Sequence, residues 1–207
     1  MNDKLQSLQD DIAFLKSLAE EGRAQPVLGG SIMVMAGVVF GAASIGHWAM
    51  ATGLIHITTG WAFALLWLGA VAVFMAGLAA MRSKLGGGGL RTNNAKASGV
   101  AWAAVGWTIF SLSGAMAMVS WRAHSALPLL LFPSIILALY GLGWSVAAAM
   151  SRKRWIAMTA VGAYVSAVGI GYFSTTPTVF LIYALCLVFL AIAPGIVLMR
   201  SASAKTA

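Results

Sequence analysis

Three histidines and one cysteine are the side chains of this chain best placed to do chemistry in an apolar setting. His47 and His56 flank a Thr52-Gly53 pair, and His124 lies in a short polar stretch between apolar runs. Histidines held at one level can bind a transition metal or a haem iron. Their spacing matches no specific ligand motif. The expectation is therefore that none of His47, His56 and His124 is a metal ligand. His47, with Trp48 beside it, reads as an interfacial anchor, and His56 reads as a wet residue at a helix start. Cys186 stands alone, so there is no intramolecular disulfide and no CxxC redox or metal motif. A lone thiol in an apolar run packs as a small apolar group.

The acidic residues are as informative by their positions. Asp3, Asp10, Asp11, Glu20 and Glu21 are the only carboxylates, and all precede the first apolar run. No Lys or Arg interrupts any run. Ion-coupled transport uses an ionisable group near mid-membrane, and acid–base catalysis needs a positioned titratable pair. Neither is present in the apolar runs, so the expectation is a protein that is not an enzyme and has no cofactor.

The elements that must position these residues follow from hydropathy. The chain has 207 residues, is 60% hydrophobic and 9% charged, against about 25% charged in a soluble domain. A hydrocarbon core of about 30 Å is crossed by about 20 apolar residues in a helix. Six such runs occupy 27–51, 54–81, 99–121, 127–150, 155–173 and 177–199. They lack the alternation of a membrane barrel. The predicted fold is an all-α integral membrane protein, with six transmembrane helices as three consecutive hairpins. Residues 1–26 are expected to form a preceding cytoplasmic amphipathic helix, and 200–207 a short cytoplasmic tail.

The net charge of +8 does not point to nucleic acid, because the charges have addresses. Every Lys and Arg except Arg122 falls in the N-terminal segment, the 82–98 loop, the 151–154 loop or the tail. Basic flanks are retained in the cytoplasm. Both termini are thus expected inside, with the 52–53, 122–126 and 174–176 turns outside.

Leu5, Leu8, Ile12 and Leu15 recur at helical spacing and form one apolar stripe. Asn2 can cap this helix, while Gly22 and Pro26 end it. The polar face of segment 1–26 is net acidic, unlike helices that adhere to anionic lipid. The stripe is therefore expected to dock on protein. The complementary charge would come from the 82–98 and 151–154 loops, in this chain or in a second copy.

Small residues recur within the runs: Gly37/Gly41, Ala72/Ala76/Ala80, Gly162/Ser166 and Ala167/Gly171. Such pairs let helix backbones approach closely, and internal packing is their expected use. Pro133 and Pro194 lie inside runs, where each removes a helix hydrogen bond. Trp67, Trp107 and Trp144 sit deeper than an interfacial belt, as core packing or as a pocket wall. Ser44, Ser134, Tyr140, Ser145, Tyr164 and Tyr183 are polar groups within the runs. They either bond to backbone or face a modest cavity.

The stretch Asp11-Ile-Ala-Phe-Leu-Lys-Ser-Leu-Ala-Glu-Glu-Gly, followed by Pro26-Val-Leu-Gly-Gly, resembles the opening of small bacterial membrane proteins. That resemblance fits a bacterial inner membrane and brings no activity with it. The expected function is a non-enzymatic membrane protein acting through partners: a subunit, an assembly factor or a membrane-bound regulator. Its contacts would be the bilayer and another protein or a second copy. The alternative is a carrier or binder of an apolar small molecule such as a lipid, quinone or carotenoid.

Overall fold

The computed structural model describes residues 29–84 and 93–203, together with Gln6, Ile12 and Phe14. Among these residues all regular structure is helical. The helices are α1 (Gly30–Ala51), α2 (Trp61–Lys84), α3 (Asn93–Ala123), α4 (Leu127–Ser151) and α5 (Arg154–Gly171). A sixth rod follows: α6 (Thr178–Leu187) passes through a π-helical turn, Val188–Ile192, into α7 (Ala193–Ser203). Helices satisfy their own backbone groups, which is what a hydrocarbon solvent demands. Five rods are long and apolar enough to cross a membrane. The remaining one, α5, has 18 residues and is about 27 Å long at 1.5 Å per residue.

The link between α1 and α2 is longer than hydropathy predicts. Residues 52–60 are turns, bends or coil, so the second helix begins at Trp61 and not at Leu54. Thr52 ends α1 by donating its hydroxyl to the Trp48 carbonyl at 2.9 Å. Gly53 then takes φ +79°, a conformation open to glycine. The β-branched run Ile57-Thr58-Thr59 favours extended backbone over helix. Hydropathy cannot tell apolar coil from apolar helix. In the other direction, α3 starts at Asn93, six residues before the predicted run, which shortens the preceding loop.

Contacts between named residues set the direction of each packing pair. Gly30 meets Gly195, Gly37 meets Ile192 and His47 meets Phe180, so α1 runs antiparallel to the sixth rod. Phe40 meets Phe74 and Met35 meets Gly77, so α1 and α2 are also antiparallel. Ser134 donates to the Ala167 carbonyl and Gly141 lies against Tyr164, which makes α4 and α5 antiparallel. The broadest contact is between α4 and α5, while α5 touches α6 only lightly.

The core lies between α4, α5 and the sixth rod, where Leu137, Trp144, Ala147, Ile156, Ala163, Leu187 and Ala191 are almost fully buried. Beside this core, α2 and α3 are peripheral. The buried or half-buried residues of α2 are Phe63, Trp67, Ala70, Phe74 and Gly77 with their immediate neighbours, a single seam against α1. Those of α3 follow Trp102, Val105, Ile109, Leu112 and Met116, a single seam against α4. Among the residues whose burial is described, every other face of both helices is exposed and mostly apolar.

Of the predicted N-terminal stripe, Leu5, Leu8 and Leu15 lie outside the described residues. Ile12 is helical and 64% exposed.

Candidate functional site

The most organised polar group inside the bundle is built around His47. It sits one turn before the end of α1, where α2 and α6 both approach. The indole Nε1–H of Trp67 donates to its Nδ1 at 2.9 Å. Its ring stacks on Phe180, with centroids 3.7 Å apart and planes at 23°. Phe63 closes a third side, with centroids at 4.6 Å. Three helices thus fix one imidazole. Apart from α1, α2 meets the rest of the bundle here through the Trp67–Phe180 ring pair at 6.2 Å.

The bond from Trp67 has a chemical consequence. An indole N–H can only donate, so Nδ1 must hold the lone pair. The ring is then the neutral tautomer with its proton on Nε2. A metal at Nε2 needs the opposite arrangement, with the distal nitrogen donating to an acceptor. While Trp67 holds Nδ1, His47 presents Nε2 as a donor.

His56 and His124 are not drawn to it. His56 is exposed in the 52–60 link, so it is no longer the mirror image of His47 about a two-residue turn. His124 is exposed at the end of α3 with φ 49°, the left-handed residue that often terminates a helix. Among the described residues no three of His, Cys, Asp and Glu gather as a metal site. Cys186 is half-buried and unpaired by disulfide.

The deep tryptophans divide by environment. Trp67 belongs to the His47 group. Trp144 is fully buried and donates its Nε1–H to the Leu190 carbonyl at 2.9 Å. Trp102 packs edge-on against it at 5.2 Å. Trp107, in contrast, points outward and is 71% exposed.

The serines mostly bond to their own helix: Ser44 to the Phe40 carbonyl and Ser145 to the Gly141 carbonyl. Tyr140 and Tyr183 are buried in the core, and neither hydroxyl has a hydrogen-bond partner among the described residues. Of the small-residue pairs, Gly37 is spent inside, close to Ile192 and Ala191. Ala167 is likewise buried within the bundle. Ala72, Ala76 and Ala80 on α2 face outward.

Sequence reasoning singled out His47 and Trp67 separately but had no signal to join them, and it did not reach Phe63 or Phe180. Their meeting depends on which helices are neighbours. No family model matches the chain, and no curated protein or solved structure matches it.

Proposed function

We propose that this chain is a non-enzymatic membrane protein that acts by holding another membrane-spanning helix against α2. The observation that carries this reading is the outward stripe Leu65, Gly69, Ala72, Ala76 and Ala80, on a helix tied to the bundle by one seam. A Cβ built on Gly69 meets nothing within 4 Å. Lipid tails do not require small side chains, whereas close helix–helix approach does. Of the other small-residue positions, Gly37 and Ala167 already pack inside.

The membrane is read as a bacterial inner membrane, crossed six times as three hairpins, with both termini in the cytoplasm. The basic residues of the links support this orientation. The exposed rings of Trp61, Trp121 and Tyr172 at the opposite helix ends suit a lipid–water boundary there, whichever side of the membrane it is. The N-terminal stripe supplies a second, cytoplasmic contact to a partner.

The hydroxyls of Tyr140 and Tyr183, without a hydrogen-bond partner among the described residues, favour a second reading, a binder of a lipid, quinone or carotenoid.

Cross-linking separates the two readings. In a Cys186→Ser background, Ala76→Cys in native membranes is expected to form a cross-linked species with a second copy or another membrane protein. Adding Ala72→Leu should abolish it. A protein that remains monomeric and fully reactive at position 76 would overturn the partner reading.

A further inference from the structure

We infer that the Nε2–H of His47 binds an oxygen acceptor carried by an apolar-tailed molecule, seated in the membrane leaflet at the end of α1. This site does not depend on the partner reading and stands or fails without it.

Three observations lead here. Trp67 fixes the imidazole as an Nε2–H donor by occupying Nδ1. Phe180 and Phe63 pin the ring, so the donor has one direction and little freedom to turn to another partner. Among the described residues, no group accepts a hydrogen bond from Nε2. A half-buried polar group that the protein leaves unpaired calls for a partner from outside.

Depth selects the chemistry of that partner. His47 lies four residues before the end of α1, about 6 Å below it at 1.5 Å per residue. With the end of α1 at the membrane surface, as the proposed topology has it, lipid ester carbonyls and phosphates lie at that level, between bulk water and the acyl chains. On the proposed topology this is the outer leaflet. The aromatic walls of Phe63, Trp67 and Phe180 suit a molecule whose remainder is apolar. The shared chemistry is a carbonyl or phosphate oxygen on such a molecule.

The test reads the proton directly. Full-length protein labelled with 15N-histidine is compared by NMR in four hosts: diester phosphatidylglycerol nanodiscs, diether phosphatidylglycerol nanodiscs, maltoside micelles, and micelles with decylubiquinone. The His47 signals are assigned by their loss in His47→Gln. The Nε2–H is expected to exchange about tenfold more slowly where an acceptor is bound. Slowing in diester discs alone identifies the ester carbonyl. Slowing in both disc types identifies the phosphate, and slowing only with decylubiquinone identifies a quinone carbonyl. Equal, fast exchange in all four hosts means that water is the partner and overturns the proposal. So does a proton found on Nδ1. Native mass spectrometry gives an independent reading: His47→Phe should retain one bound lipid fewer than the unmodified protein, and His47→Gln should restore it. Equal retention of lipid and of added decylubiquinone by all three proteins also overturns it. Should His47→Phe not fold, the NMR comparison decides alone.

Discussion

The indole of Trp144 donates to the Leu190 carbonyl, and Leu190 stands four residues before Pro194. Leu190 lies inside the π-helical turn, whose wider ladder offsets carbonyls from their α-helical donors, and Pro194 removes one backbone N–H from the same stretch. A side chain from a different helix supplies a donor there. Trp144→Phe keeps most of the packing but leaves a buried carbonyl unpaired, and is expected to destabilise the bundle by about 1–3 kcal/mol. In a Pro194→Ala background a backbone N–H returns to this stretch, so the same change should be milder. A double-mutant cycle of unfolding in mixed micelles measures the coupling. Additive effects would show that the two positions do not share this carbonyl.

Gly30 and Gly195 cross with almost no space between them. A Cβ on either would lie 2.7 Å from the other's carbonyl oxygen. Gly30→Ala or Gly195→Ala should destabilise by about 1–3 kcal/mol, the usual range for overpacking. Gly41→Ala is the control, since its Cβ meets nothing within 4 Å. It should be neutral or stabilising by about 0.5–1 kcal/mol through helix propensity. Thermal unfolding in one detergent ranks the three.

Tyr140 and Tyr183 offer a test of sign. If their hydroxyls have no partner, Tyr140→Phe and Tyr183→Phe remove buried polar groups that pair with nothing. Stability is then expected to hold or to rise by about 1 kcal/mol or more. A clear loss in either variant would reveal a bound water or polar ligand at that hydroxyl.

Topology is tested by single-cysteine labelling in a Cys186→Ser background. Thr52→Cys, Ser125→Cys and Thr175→Cys should react with an impermeant maleimide from outside, and Asn94→Cys should not. Outside labelling at position 94 would sink the proposed orientation.

The N-terminal stripe is tested by Ile12→Asp with Leu15→Asp. Burial of a leucine-sized side chain contributes about 1.5–3 kcal/mol, so the double change should release residues 1–23 to proteolysis while the bundle stays folded. Rapid cleavage of the unmodified segment in native membranes would show that nothing covers it.

Helix number was legible in the sequence because hydropathy is a property of each run by itself. Helix neighbours were not. A soluble helix declares its buried face by contrast with a polar one, but α2 and α3 are apolar on nearly every side. Their single seams cannot be read from residue type. For the same reason Gly37 and Ala76, two small residues in similar runs, have opposite fates: one is buried against Ile192 and the other faces outward. The Trp144–Leu190 bond had half a signal. Pro194 marks a stretch short of a backbone donor, but nothing in the chain names the side chain that supplies one. The link at 52–60 was missed because Leu54, Ile55 and Ile57 score as membrane residues whether or not they are helical.

The π-helical turn at Val188–Ile192 works as a phase setter for everything after it. Its ladder is wider by one residue, seen where the Ala193 N–H reaches back five positions to the Val188 carbonyl. An α-helix advances about 100° per residue, so one extra residue rotates the whole downstream stretch by that angle. Gly195 faces Gly30 only with this offset in place. Excising Phe189 would remove the extra residue together with the wide turn, so the rod would run on as an α-helix with Gly195 still facing α1. Closing the turn to an α-helix with every residue kept would instead swing Gly195 more than a quarter-circle away and bring a side chain into a gap sized for none.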